Sequence, residues 1–172
     1  MDGDTSGVIS VIAGINKTTI RKVNRWLEEV GLPLSVDGKS ARHQLKEMHR
    51  VNVQQPTAEL RPEEQTDEAD LMPYVVCDFI MDCYLARQMW PKSILVELML
   101  NGFDKEHDMR QLAAYVERWF RLFCRNPWKR YGTRAGFHIE QVSLDPKTFH
   151  RFPRVSIGYM VTSCLSLALL KL

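Results

Sequence analysis

Apolar and polar positions alternate along the chain in a way that predicts a few helices joined by polar connections. Ile20, Val23, Leu27 and Val30 recur at steps of three and four, the spacing of a single helix face. This stripe predicts a helix that begins at Lys17 with Asn16 as its N-cap and stops at Gly31, two residues before Pro33. Ahead of it, Val8 to Ile12 reads as a short strand and Ala13-Gly14 as a turn. Residues 39–50 carry no clear stripe and read as a weak polar helix or loop. His43 and His49 fall there on different faces, exposed rather than set to share a metal.

The apolar segments strengthen after residue 72. "PYVVCDFIMDCYLARQ", Pro73 to Gln88, is apolar over more than half its circumference, which predicts a largely buried helix with proline at its start. A second helix is expected from Pro91 to Gly102. A long third one is expected from Glu106 to Cys124, striped by Met109, Leu112, Val116, Trp119 and Phe123 and ended by Pro127. Residues 128–158 read as an ordered wrapping tail, rich in Arg, Gly and aromatics, with strand-like pieces around Phe137 to Val142. The fold class expected for the chain itself is therefore mostly α.

Composition fits a globular chain: 172 residues, 45% hydrophobic and 26% charged, enough to bury about two-thirds of the unfolded surface. A net charge of +2 makes no global demand for nucleic acid or a lipid surface. Charge is uneven locally. Glu59, Glu63, Glu64, Asp67, Glu68 and Asp70 surround the lone base Arg61, whereas residues 121–154 hold eight Lys and Arg against Glu140 and Asp145. That basic segment suits phosphates as well as water. Cys77, Cys83, Cys124 and Cys164 make no CxxC pair or zinc spacing, a usage that suits a reducing cytoplasm. "MDGDTSG" has neither part of a signal peptide. The final "VSIGYMVTSCLSLALLKL" is apolar but shorter than a span of roughly 20 residues, and Ser, Thr and Gly interrupt it.

No HExxH, Walker glycine loop or local nucleophile–base pair occurs. The order of four other segments carries more. "GDTSGVISVIAGINKTTIRKVNRWL", "QQPTAELRPEEQTDEADLMPY", "WFRLFCRNPWKRYG" and "VSLDPKTFHRFPRVS" follow one another between Gly3 and Ser156. Together they resemble NAD synthetase of the glutamine-dependent type, in the C-terminal half of its synthetase domain. The family pattern has Gly-Asp and then Ile-Lys or Asn-Lys opening a helix. A Pro-Thr/Ser-Ala-Glu/Asp-Leu motif with an acidic Asp-Glu-x-Asp-Leu-x-x-Tyr run follows, and a Lys-Arg pair comes after a long helix.

The resemblance implies the C-terminal portion of a Rossmann-like α/β ATP-pyrophosphatase fold over residues 3–156, followed by an atypical apolar tail at 157–172. It implies a ligase that amidates deamido-NAD to NAD with ATP and Mg2+, through an adenylate and with ammonia from glutamine. Lys17 and Thr57 match ATP-contacting positions, and Trp128 and Lys129 match the aromatic and lysine that touch deamido-NAD. The stretch 54–74 then reads as a loop over the nucleotide. The implied setting is cytoplasmic, with small-molecule substrates, no nucleic acid, no membrane and a homo-oligomeric parent enzyme.

The chain also departs from the pattern. The family's Ser-Gly-Gly-x-Asp-Ser loop, an upstream magnesium-binding acid and the glutaminase domain have no counterpart in it. Val11 stands where proline is usual, Val8 stands where one branch has Asp, and the sequence turns apolar after Gly158. The expectation is a fragment, truncated or shifted in frame, that is inactive alone. The alternative is a non-catalytic helical dimerisation or interaction module. A basic nucleic-acid binder rests on segment 121–154 alone and lacks base-stacking motifs.

Overall fold

The computed structural model describes residues 9–36, 39–54, 66, 68, 71–132, 135–140 and 142–145. The chain divides into two units: Asn16–Asp70, and Met1–Ile15 together with Leu71–Leu172. Helices predominate in the described residues, with two two-stranded sheets, as the mostly α expectation holds.

In the first unit, α1 (Lys17–Glu29) starts where the stripe placed it. Asn16 occupies the N-cap with extended backbone, but its side chain makes no capping bond. Gly31 ends the helix in the left-handed region at φ 82°, and its N–H donates to the Trp26 carbonyl at 3.1 Å. The next residues depart from expectation. Instead of a polar helix or loop, Lys39–His43 is a strand, β3, pairing antiparallel with β2 (Leu32–Val36) from Leu32↔His43 to Val36↔Lys39. All five residues of β3 are exposed, so no face had to be apolar and no alternation marked the strand. A 3-10 turn at Lys46–Met48 leads into α2 (His49–Val53).

Glu28 ties α2 to α1. Its carboxylate accepts from Asn52 Nδ2 at 2.6 Å and lies 2.8 Å from His49 Nδ1. His49 is thus exposed, as expected, but partnered. These contacts, led by the Asn52 bond, hold the Glu28 carboxyl below its ordinary value of 4.5. A carboxyl lowered by folding adds stability above its unfolded value, and that stability is lost as pH falls through the folded one. Melting of this unit is therefore expected to weaken below about pH 4.5. Glu28→Gln should flatten that part of the profile, and thermal melts from pH 7 to 3 check it.

The second unit holds the core. Its helices are α3 (Tyr74–Leu85), α4 (Pro91–Leu100) and α5 (Met109–Arg125). α3 buries Val76, Ile80 and Cys83, α4 buries Ile94, Leu95 and Leu98, and α5 buries Leu112, Val116, Trp119 and Phe120. Each set recurs at three- and four-residue steps, so the three helices meet along their apolar faces. α5 begins later than Glu106. Gly102, at φ 83°, and a 3-10 turn at Phe103–Lys105 intervene, and the Asp108 carboxylate caps the helix by accepting from the Gln111 N–H at 2.7 Å. Pro73 precedes α3 as its N-cap rather than opening it.

After α5 the segment expected as a wrapping tail starts with regular structure. A short helix α6 (Pro127–Tyr131) follows at once, with Pro127 at its start, where a proline's missing N–H costs nothing. Then β4 (Ala135–His138) pairs parallel with β1 (Ile9–Gly14). β1 runs through Gly14, where a turn was expected. Val8, the connection 55–65 and residues 146–172, the apolar tail among them, lie outside the described residues.

Candidate functional site

The aromatic core of the helical unit builds the platform for α6. The Tyr84 ring meets Trp119, Phe120 and Phe123 edge-on, with centroids 5.6, 4.9 and 5.5 Å away. Trp119 and Phe123 stack nearly parallel at 5.1 Å. Phe123 is partly buried, and the Arg130 guanidinium lies over it at 3.9 Å from the ring centre. Arg130 Nη1 also donates to the Phe123 carbonyl. A cation stacked on a ring and bonded to the same residue's backbone fixes α6 against the end of α5. Burial pulls the Arg130 guanidinium below its ordinary value, as expected for a cation turned inward.

Anchoring Arg130 inward leaves Trp128 and Lys129 outward. Trp128 is 66% exposed, an unusual position for so large an aromatic. The Lys129 ammonium lies 5.4 Å from the centre of its ring. The structure therefore brings this sequence-matched pair together on one turn. Lys129 and Arg130 also line a cleft of about 220 Å³ whose other walls include Leu71, Met72, Cys77 and Trp119. Arg118 Nη1 holds the Leu71 carbonyl at 3.0 Å on that side. A second groove, of about 390 Å³, runs along Pro127, Trp128, Tyr131 and Gly132. An apolar cleft with a lysine at its lip and an aromatic groove beside it suit a ligand that joins planar rings to negative charge.

Cys77 in the first cleft is expected to be a poor nucleophile. Burial pushes its thiol up to about 11, and Asp78 adds to the rise. At pH 8 almost none is thiolate, so its alkylation by iodoacetamide is expected to be at least tenfold slower than that of free cysteine. Mass mapping of the labelled chain checks this. Cys77, Cys83 and Cys124 are all free thiols.

Lys17 stands exposed in the first turn of α1, in the other unit, with no acidic residue in that turn. Thr57, matched with it as an ATP contact, lies outside the described residues. Sequence reading overlooked Tyr131 and the helix that carries it. Pro127 was taken as the end of one helix, although a proline is equally at home opening the next. Among the described residues no group of three or more His, Cys, Asp or Glu is placed to hold a metal. Nor is any helix among them long and apolar enough to cross a membrane.

No protein-family model matches the chain. It is 34% identical over 104 residues, 60% of its length, to a glutamine-dependent NAD(+) synthetase of Thermotoga maritima, and covers 15% of that protein. It is also similar to the crystal structure of a glutamine-dependent NAD(+) synthetase from Cytophaga hutchinsonii. That match has a TM-score of 0.65 at 25% identity, over 96% of this chain and 23% of the other. The chain thus spans less than a quarter of the length of either protein. The resemblance carried by the four ordered segments is borne out in both sequence and structure.

Proposed function

We propose that this chain supplies part of the nucleotide-binding surface of a glutamine-dependent NAD synthetase, acting in the ATP-driven amidation of deamido-NAD to NAD. The observation that carries the reading is the structural likeness to such an enzyme over 96% of the chain. The Rossmann-like ATP-pyrophosphatase fold belongs to the same reading. The parallel pairing of β1 with β4 supports it, because parallel strands need a long crossover and normally lie in sheets covered on both faces. Val11 and Phe137 on this pair are exposed, apolar side chains of the kind that covering elements bury on the faces of a parallel sheet.

In this reading Lys129 and Trp128 hold deamido-NAD, and Lys17 and Thr57 hold ATP. The chemistry brings a carboxylate up to a polyphosphate, so fixed cations must offset the repulsion between them. Two exposed lysines, one in the first turn of α1 and one in the short helix α6, are placed to supply such charge. Magnesium is usually held by one or two carboxylates together with substrate phosphates, and the described residues offer no cluster of three or more His, Cys, Asp or Glu for it. Residues 3–156 are read as synthetase and 157–172 as an added tail. The chain alone is expected to be inactive, with a cytoplasmic, homo-oligomeric parent enzyme that binds neither nucleic acid nor membrane.

Calorimetry on the chain tests the assignment. Lys17→Ala should weaken ATP binding about tenfold to a hundredfold, the worth of a charge-assisted bond, and Lys129→Ala should do the same to deamido-NAD. Unchanged affinities would remove both lysines from the site. Exposed Val75, Val96 and Leu100 favour the second reading, a helical interaction module. Self-association without any ligand binding would select it.

A further inference from the structure

We propose that the groove between the start of α3 and the turn after α4 seats the stretch of this chain that follows Asp145. The Phe149 ring enters the groove and the Lys147 ammonium meets the Glu106 carboxylate; this surface stands apart from the synthetase reading. The groove holds about 330 Å³, with Pro73, Val75 and Val76 on one side and Gly102 and Phe103 on the other. Its floor is fixed, since Val76 is buried and Phe103 packs on the Phe79 ring with centroids 5.1 Å apart. Its mouth is apolar and open, with Val75 64% exposed. Glu106 is the one carboxylate of the lining, exposed and without an ion-pair partner among the described residues. His107 beside it is already engaged edge-on with Tyr115 at 5.5 Å, and the Lys105 side chain runs close to Gly102. An apolar well with a free carboxylate at its rim suits an aromatic anchor carried next to a base.

The chain brings such an anchor to this place. Val142 and Leu144 pack against the helical core, Ser143 is buried, and the Asp145 N–H donates to the Ser143 hydroxyl at 3.1 Å. Leu144 lines the first cleft together with Leu71 and Met72, which lead directly into Pro73 of the groove. The residues that follow Asp145 read Pro146-Lys147-Thr148-Phe149-His150-Arg151. Pro146 biases the exit towards extended backbone, and four extended residues reach roughly 13–14 Å. In an extended stretch alternate side chains share a side, which puts Lys147, Phe149 and Arg151 together. A second copy or another protein could offer a similar pairing only from free solution. This stretch is tethered beside the groove, at an effective concentration on the order of millimolar. The ring supplies the adhesion and the lysine the register, because an exposed ion pair contributes little alone.

Zero-length carbodiimide coupling of the full chain tests this, on an equal mixture of unlabelled and nitrogen-15-labelled protein with the linked peptides mapped by mass spectrometry. A Glu106–Lys147 link is expected, each linked pair carrying a single isotope. Phe149→Ser should lower its early yield about threefold or more, as loss of a buried ring does. Val75→Arg, at a position exposed enough to accept it, should do the same by placing a cation at the mouth. No such link, or an unchanged yield in both variants, would overturn the proposal. Links that join labelled to unlabelled chains would also overturn it, by putting a second copy in the groove. Should Phe149→Ser fail to fold, the yield in Val75→Arg decides alone. None of these readouts involves a nucleotide, so they leave the synthetase reading untouched.

Discussion

Leu112→Ala is expected to destabilise the helical unit by about 2–5 kcal/mol, the range for a leucine truncated at a site that cannot collapse around the loss. Leu112 is 0% exposed and belongs to the cluster that includes Val76, Ile80, Leu98 and Phe120. It lies in the first turn of α5, between the Asp108 cap and Val116. Neighbours from α3 and α4 would have to move together to fill the space. The loss reaches the candidate site, because α5 also carries Phe123, on which Arg130 and hence α6 rest. Urea unfolding followed by circular dichroism measures the effect. A shift below about 1 kcal/mol would mean that the helices pack less tightly than described.

Gly31→Ala should be about as damaging to the other unit. At φ 82° the backbone is in the left-handed region, which costs an L-residue roughly 1–2 kcal/mol. The added Cβ would also stand 2.3 Å from the His43 carbonyl oxygen and 2.6 Å from the Gln44 nitrogen. Both are backbone atoms that cannot swing aside, so overpacking adds about 1–3 kcal/mol. The expected total is about 2–5 kcal/mol, with loss of the β2–β3 hairpin and of the Arg42 contact over the Trp26 ring. Gly102→Ala is the natural control. Its φ is 83°, but the nearest atoms belong to the flexible Lys105 side chain at 3.8 Å or more, so only the backbone strain of about 1–2 kcal/mol remains. Equal losses in the two variants would refute the clash at His43.

The helices of the second unit were legible because they are buried. A helix packed on two neighbours must keep its apolar residues at three- and four-residue steps, and Leu112, Val116 and Trp119 do so. The hairpin of the first unit was not legible from pattern, since both faces of Lys39–His43 meet water and nothing forces alternation. A different signal was available there: Val36 and Lys39 pair across Asp37-Gly38, and Asp-Gly between two runs marks a two-residue hairpin connection. The start of α5 was read too early because an apolar stripe does not see a cap, whereas Asp108 decides where the helix begins. For the candidate site, motif order pointed to Trp128 and Lys129, which share one turn of α6. It could not find Tyr131, whose place depends on α6 being a helix, nor show that Arg130 turns inward onto Phe123. That orientation follows from the aromatic cluster beneath it, a tertiary fact with no trace in local sequence.

As proposed above, side chains of this chain would hold the two nucleotide substrates of NAD synthesis. Nitrogen-15 correlation spectra of the labelled chain test it most directly, recorded while ATP and then deamido-NAD are added. Deamido-NAD should shift the Trp128 indole signal and the amides of residues 127–132, and ATP should shift the amides that open α1 around Lys17. Spectra unmoved by either ligand, or moved only at positions away from these two, would contradict the account.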